Sequence, residues 1–343
     1  MLNTLKILCS LSGVSGWEDE VRDYILQRAM EHADRVETDA MGNLYAFKKG
    51  AVTPDAPVMV CAHMDEVGLM ATFIRPDGLI RFTAVGGIVS TALAGKAVRF
   101  ENGVPGVIGL KPVHLCSADE KLTQPDKKEL CVDIGAKDKA EAEKLVAPGD
   151  TAVFISEYAE TGNKILSKAI DDRAGCAVML DMILSGVEYD TVFCFNVQEE
   201  VGLRGAKTSA FAVAPDYAIV LEGTTAADVA DAKDEARVCV QGKGACVSMM
   251  DNATVYSPAL FRKVLGIAEE NGIPAQVKTA VAGGNDAGSV HVSRTGVRTV
   301  TINVPTRYIH SPSSVCDLSD VLAVRALAEK VCAYFANADG ADL

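Results

Sequence analysis

Histidines and acids stand at the ends of apolar runs in this sequence, where their side chains could do chemistry together. His63 directly follows the apolar run 57–62, and Glu199 and Glu200 follow the run 191–197. Continuous runs of this kind are typical of strands buried on both faces of a sheet. Imidazole and carboxylate groups that meet there could transfer protons or bind a metal ion.

Three further candidates come from distant parts of the chain. Glu222 follows the apolar run 217–221, and His310 lies a few residues beyond the run 299–304. Asp171 lies in a turn before a predicted helix. Ligands of open α/β sheets bind outside the carboxyl ends of the strands. We therefore expect these residues to converge on one edge of a single sheet.

Each candidate alone also has an ordinary structural explanation. A single histidine after a strand is commonly a structural residue. Paired acids such as Asp171 and Asp172 commonly belong to a solvated loop or to the start of a helix. Two histidines from opposite ends of the chain that converge with several acids favour a metal site instead.

The number of candidate ligands fits two divalent ions. Two ions that share one bridging carboxylate each need about one histidine and one further carboxylate. Asp171 is the predicted bridge, with His63 and Glu222 completing one site and Glu200 and His310 the other. Mixed imidazole and carboxylate ligands favour zinc, cobalt or manganese over calcium or magnesium.

Two acids remain for other roles. Glu199 adjoins a predicted ligand, and neighbouring side chains on extended backbone point in different directions. Its carboxylate is therefore predicted to face a metal-activated water as the general base. Asp65, two residues after His63, is predicted to hold that imidazole in the tautomer that binds the metal.

The elements that must position these residues alternate along the chain. Helical patterns at 174–184, 258–271 and 318–334 separate the apolar runs, which predicts a mostly parallel sheet with helices on both faces. An earlier helix is predicted after Ser15, because Ser15 and Glu18 have the spacing of a capping box.

The middle of the chain has a different texture. Residues 68–167 contain short strand-like pieces, frequent glycine and proline, and one helical stretch at 137–145. This predicts a small β-rich domain inserted into an α/β domain formed by residues 1–67 and 168–343.

The net charge and the cysteines indicate which partners and which cellular location to expect. The formal net charge of -13 disfavours nucleic acid and anionic membrane surfaces as partners. The ten cysteines form no CxxC pair, and several lie in apolar runs, which indicates free thiols in a reducing compartment. With no signal-peptide pattern at the start, we expect a cytoplasmic protein.

Five segments resemble the tetrahedral aminopeptidase family, which includes glutamyl aminopeptidases and relatives labelled as endoglucanases. They occur in order over nearly the whole chain: CAHMDEVG at 61–68, AIDDRAG at 169–175, QEEVGLRGA at 198–206, GGNDAG at 283–288 and RYIHSP at 307–312. The combination is far more specific than any single motif.

The resemblance implies a phosphorylase-like α/β catalytic domain with two metals, usually zinc or cobalt, and an inserted β-barrel dimerisation domain. It also implies dimers that commonly build a tetrahedral dodecamer admitting short peptides. The family's ligands map onto His63, Asp171, Glu200, Glu222 and His310, and its general base onto Glu199. The bond after the bridging Asp171 is expected to be a cis peptide.

Two positions depart from the family pattern. Many relatives carry aspartate where this chain has Glu222, which should still bind metal but could alter metal preference. Asn285-Asp286 replaces a Thr-Asp pair, and Asp286 is predicted either to contact substrate or to cap a helix.

Three other functions compete with removal of N-terminal residues from peptides. A metal-dependent deacylase or amidohydrolase could use the same scaffold. A glycan hydrolase would need two uncommitted carboxyl groups, whereas these acids cluster with histidines. An inactive scaffold protein would not need a complete set of ligands and a base. The preferred N-terminal residue is not predicted by the sequence.

Overall fold

A computed structural model describes residues 1–55, 57–117 and 123–338 of the chain. Within these residues the α-helices are α1 (Leu2–Ser10), α2 (Asp19–Met30), α3 (Lys139–Ala142), α4 (Ile170–Ser185), α5 (Arg204–Val213), α6 (Pro258–Glu270), α7 (Ala287–Val290) and α8 (Leu318–Ala336). Short 3-10 helices span Ser90–Ala92, Val113–Leu115 and Asp234–Ala236.

The strands fall into one large sheet and one closed barrel. In chain order they are β1 (Arg35–Thr38), β2 (Leu44–Lys48), β3 (Val58–His63), β4 (Gly68–Ile74), β5 (Ile80–Val85), β6 (Ala97–Phe100), β7 (Pro105–Gly109), β8 (Cys131–Asp133), β9 (Thr151–Phe154), β10 (Ala159–Thr161), β11 (Lys164–Ser167), β12 (Thr191–Asn196), β13 (Tyr217–Thr225), β14 (Ala245–Ser248), β15 (Ala275–Lys278), β16 (Arg298–Arg307) and β17 (Ser314–Asp317).

Four parallel strands form the centre of the large sheet, in the order β12, β3, β13, β16. Their register places Asn196 beside His63 and Glu222 beside Asn303. Antiparallel strands flank them: β2 and β1 on one side, and β17, β11 and β10 on the other. The parallel part of the sheet is thus the part whose carboxyl ends carry the candidate residues.

Both faces of the central strands are buried by apolar side chains and covered by helices. One face packs against α4 and α8, through a core that includes Ile219, Leu221 and Ile302. The other face packs against α5 and α7, through Cys61, Val220 and their neighbours. Burial on both faces explains why these strands read as continuous rather than alternating apolar runs.

The inserted region forms a closed six-stranded barrel in the order β4, β5, β8, β7, β6, β9. Inward-facing apolar residues such as Leu69, Ile80, Val98 and Ile108 fill it. The predicted fold class, an α/β sheet flanked by helices with an inserted β-barrel, is confirmed. The barrel strands occupy residues 68–154, while β10 and β11 pair within the large sheet. A separate domain at 68–167 remains a prediction.

Several local predictions differ from the structure. Residues 2–10 and 204–213 form helices that were not predicted, and the helical stretch predicted at 137–145 is only one turn, α3. The capping box is wrong, because α2 begins without a side-chain cap. The Ser15 hydroxyl instead donates to Asp65 Oδ2 at 2.6 Å. Among the described helices, none combines the length and the apolar character needed to cross a membrane.

Candidate metal centre

His63 is the last residue of β3, and its ring lies among carboxylates contributed by two other elements. Nε2 of His63 lies 3.1 Å from Glu222 Oε1 and 3.4 Å from Asp171 Oδ1. Glu222 projects from within β13, which extends three residues past it. Asp171 lies in the irregular first turn of α4, where the predicted cis bond between Asp171 and Asp172 is confirmed.

A second cluster shares Asp171 with the first. His310 Nε2 lies 3.1 Å from Glu200 Oε2 and 3.7 Å from Asp171 Oδ2. One ligand atom from each residue lies within 4.8 Å of the others in the set Asp171, Glu200 and His310, and the same holds for His63, Asp171 and Glu222. The two oxygens of Asp171 thus face two different histidines, which is the arrangement expected of a bridging carboxylate.

The buried polar atoms of this cluster fit a divalent cation. Among the described residues, His63 Nε2 and Glu222 Oε2 are buried without a hydrogen-bond partner. A buried polar atom without a partner costs free energy unless something compensates it. Two imidazoles and three carboxylates that face one another are the donor set that binds zinc, cobalt or manganese.

Burial and crowding of negative charge displace the pKa values of this cluster. Burial raises the pKa of Glu222 well above its ordinary value, although the nearby His63 opposes the shift. Burial also raises the pKa of Glu199 well above its usual range, reinforced by Asp286 and Glu200. For His63, burial would lower the pKa, but the carboxylates around it, Glu222 foremost, raise it well above 6.5. A cation bound here would relieve this accumulation of negative charge.

Each imidazole is oriented by an acceptor at its other nitrogen. His63 Nδ1 lies 3.1 Å from the backbone oxygen of Asp65 and 3.4 Å from its carboxylate. His310 Nδ1 lies 3.2 Å from the backbone oxygen of Gly87, in the loop after barrel strand β5. With a proton on each Nδ1, both Nε2 atoms are free to bind a metal. The barrel therefore contributes directly to the geometry of the site.

Asp65 does more than orient His63. Its carboxylate accepts hydrogen bonds from the backbone amides of Glu199 and Glu200, at 3.0 and 3.1 Å, and from Ser15. Burial would raise the pKa of Asp65, but hydrogen bonds from His63, Ser15 and the Glu199 amide lower it below its usual value. Asp65 thus stays ionised and connects His63 to the loop that carries Glu199.

Glu199 lies near His63 but belongs to neither of the two three-residue groups that include Asp171. Its Oε2 lies 4.0 Å from His63 Nε2, and Glu199 also groups with His63 and Glu200 within ligand distance. Its backbone hydrogen bond to Asp65 fixes the direction in which the side chain leaves the loop. The carboxylate is placed beside the candidate metal cluster, where a general base would stand.

Gly223, which follows Glu222, was not predicted from the sequence but is required by the site. Its amide donates to Asp171 Oδ1 at 3.2 Å, and a Cβ added at this position would lie 2.7 Å from that oxygen. Any larger residue would therefore displace the Asp171 carboxylate. A glycine directly after a strand-borne acid was the only available signal of this close approach.

Asp286 does not fulfil the prediction of a helix cap. Its side chain is fully buried and accepts a hydrogen bond from Asn196 Nδ2 at 2.8 Å. It makes no capping hydrogen bond to α7, so the prediction of a helix cap is wrong. The buried carboxylate lies beside the strand end that carries Asn196, and a contact with substrate stays a prediction.

Comparison with known proteins decides the family. A family model described as M42 glutamyl aminopeptidase matches residues 42–327. The chain belongs to this family. M42 peptidases are metal-dependent, and membership makes the chain a hydrolase of the exopeptidase class, as predicted.

Relatives along the whole chain carry aminopeptidase names. The chain is 38% identical over 335 residues to an Acetivibrio thermocellus protein provisionally named an aminopeptidase, covering 97% of this chain and 98% of the relative. It is 32% identical to the glutamyl aminopeptidase of Lactococcus lactis, covering 94% and 93% of the two chains. It is also 32% identical to the lysyl aminopeptidase of Pyrococcus furiosus, covering 92% of each.

Solved structures of similar chains show the same fold. The TET aminopeptidase of a marine sediment Thaumarchaeota archaeon superposes with a TM-score of 0.93 at 32% identity, covering 99% of this chain and 97% of that one. The TET1 peptidase of Pyrococcus horikoshii, described as assembling into a tetrahedron or a large octahedral shell, gives 0.84 at 34% identity, covering 96% and 98%. A Thermotoga maritima protein labelled endoglucanase gives 0.79 at 36% identity, covering 95% and 96%.

Proposed function

We propose that this M42 enzyme is a dinuclear metal-dependent aminopeptidase that removes N-terminal residues from short peptides. The observation that carries the proposal is the pair of histidine–carboxylate clusters that share Asp171, with Glu199 beside them. The proposed ligands are His63 and Glu222 for one ion, Glu200 and His310 for the other, and Asp171 for both. Zinc or cobalt is the proposed metal, with manganese as a further candidate.

The residues of this chain would divide the chemistry as follows. When bound, the two ions would polarise the scissile carbonyl and lower the pKa of a water molecule. Glu199 takes a proton from the attacking water at its carboxylate and returns it to the nitrogen of the leaving amine. Asp65 keeps Glu199 and the His63 ring in place through its hydrogen bonds. The acidic surroundings would also hold the positively charged α-amine of a peptide.

We further propose that the chain works as a homo-oligomer. The barrel exposes apolar side chains that a monomer would leave in water: Val107 (48% exposed), Leu110 (51%), Val113 (71%) and Leu115 (59%). Clustered exposed apolar residues commonly mark a protein–protein interface. A dimer, or a larger tetrahedral assembly such as the solved relatives form, would cover them. A cytoplasmic location is proposed from the free cysteines, nine of which are buried.

Amino-acid p-nitroanilides test the proposed activity directly. The metal-stripped enzyme should release no p-nitroaniline, and added Zn²⁺, Co²⁺ or Mn²⁺ should restore release. Substrates with a free α-amine should react, while their N-acetylated counterparts should not, because the acetyl group removes the positive charge that the site would hold.

The same assay distinguishes the rival functions. Release of acetate from the N-acetylated anilides, with no p-nitroaniline from the free ones, would instead indicate a deacylase. Failure of every anilide with every metal would contradict the proposal. A panel of acidic, basic and apolar anilides in this assay would also establish the preferred N-terminal residue.

A further inference from the structure

The loop that carries Glu199 and Glu200 is held in place by hydrogen bonds that its backbone amides donate. Four consecutive amide groups of this loop each donate a hydrogen bond to a side chain from the first 65 residues of the chain. The pairs are Val197 with Asn43 Oδ1 (2.9 Å), Gln198 with Glu18 Oε1 (3.0 Å), Glu199 with Asp65 Oδ1 (3.0 Å) and Glu200 with Asp65 Oδ2 (3.1 Å). Every amide from the end of β12 to the metal cluster thus has an acceptor outside its own loop.

Glu18 is the least expected of these acceptors. Its carboxylate is buried, at 3% exposure, and belongs to the residue just before α2. The same oxygen accepts the Gly16 amide at 2.7 Å and the Gln198 amide at 3.0 Å. It therefore joins the N-terminal loop to a segment 180 positions away in sequence. Glu18 belongs to neither metal cluster.

The residue that Glu18 holds has an unusual backbone. Gln198 has a φ of 56°, in the left-handed region that residues with a side chain rarely adopt. Such a conformation persists only where its surroundings impose it. The bond from its amide to Glu18 is one such constraint, and it lies one residue before Glu199. A change in φ at Gln198 would rotate the Glu199 side chain away from His63.

We infer that Glu18 is a positioning residue that aims the general base by fixing the Gln198 amide. The inference rests on the aminopeptidase function proposed above. Ser15, in the same loop, donates to Asp65, so one N-terminal segment supports the Glu199 loop through two separate carboxylates. Glu18 acts through the length and the acceptor of its side chain, without contact with substrate or metal.

Two variants of Glu18 distinguish the effect of its side-chain length from the effect of its charge. Glu18→Asp keeps the charge but withdraws the acceptor from Gln198 by one methylene, whereas Glu18→Gln keeps the length and an acceptor oxygen. Misplacement of a catalytic group by about 1 Å can lower a rate about 100-fold. Glu18→Asp should therefore lower kcat on the best anilide about 10- to 100-fold with KM within about twofold. Glu18→Gln should retain more than about a third of the wild-type kcat.

Glu20, in the first turn of α2, provides a matched control. Its carboxylate also accepts a backbone amide of the N-terminal loop, that of Ser12 at 2.9 Å, but it is exposed and does not contact residues 197–200. Glu20→Asp and Glu20→Gln should leave kcat within about twofold of the wild type. Bound metal and the fluorescence of Trp17, the single tryptophan of the chain, report whether each variant keeps its site and its fold.

Three results would overturn the inference about Glu18. A Glu18→Asp enzyme with wild-type kcat would overturn the inference. So would a Glu18→Gln enzyme impaired as severely as Glu18→Asp, because charge rather than reach would then matter. Loss of metal in proportion to kcat in either variant would also overturn it. An inactive wild-type enzyme would instead contradict the proposed function itself.

Discussion

Replacing Glu199 by glutamine is expected to lower kcat by about 10²- to 10⁴-fold, which is the contribution typical of a general base. The amide has the size of the carboxylate but cannot accept a proton from water at neutral pH. KM should change little, because Glu199 is not proposed to bind the substrate. The measurement is steady-state kinetics on an amino-acid p-nitroanilide at saturating metal.

Metal content distinguishes loss of the base from loss of the site. Glu199 lies 4.0 Å from His63 Nε2 and is assigned to neither ion, so Glu199→Gln should bind as much metal as the wild type. Glu270→Gln, at the exposed end of α6, serves as a control for the same chemical change and should keep full activity. A Glu199→Gln enzyme with unchanged kcat would show that another group accepts the proton.

Replacing Asp171 by asparagine is expected to abolish turnover by weakening both metal sites together. Asp171 faces both histidines, with oxygens 3.4 Å from His63 Nε2 and 3.7 Å from His310 Nε2. Asparagine keeps the shape and an oxygen for the Gly223 amide, but it removes the negative charge between the two ions. Loss of a residue that only hydrogen-bonds to a metal ligand lowers metal affinity roughly 10- to 100-fold. Loss of the Asp171 charge should lower the affinity for each ion by more than that.

Thermal unfolding with and without metal measures this loss. Ligands that bind only the folded state raise Tm, so Zn²⁺ should raise Tm of the stripped wild type and leave Asp171→Asn almost unchanged. Asp181→Asn changes the same residue type on the same helix, at a partly exposed ion pair with Arg325, and should respond to Zn²⁺ as the wild type does. A normal response of Asp171→Asn to Zn²⁺ would remove Asp171 from the site.

The central strands and the convergence of the site could be predicted from the sequence because both depend on short-range patterns. Continuous apolar runs indicate strands buried on both faces, and the carboxyl ends of parallel strands meet at one edge. His63, at the end of β3, lies where that argument places it. Glu222 differs slightly, since β13 continues through Thr225. The apolar run ends at Leu221, but backbone pairing with β16 does not.

The hydrogen bonds that support the site could not be predicted in this way. Ser15 and Glu18 have the spacing of a helix cap, but their partners are Asp65 and the Gln198 amide, 50 and 180 positions away. The spacing of these two residues indicates only a possible hydrogen bond within the same helix turn. In the structure, both side chains bond to residues distant in sequence instead. Likewise α1 has no side-chain cap that the sequence could have shown, and it is stabilised by Leu5 and Leu8, which are fully buried in the core. Tertiary packing supplies what local signals lack.

The number of metal ions bound per chain tests the central claim most directly. Calorimetric titration of the stripped enzyme with Zn²⁺ or Co²⁺ should show two ions per wild-type chain. Loss of the second histidine in His310→Ala should reduce this to one tight ion, because His63, Asp171 and Glu222 remain together. A wild-type chain that binds only one ion at saturation, while fully active, would contradict a dinuclear centre built around Asp171.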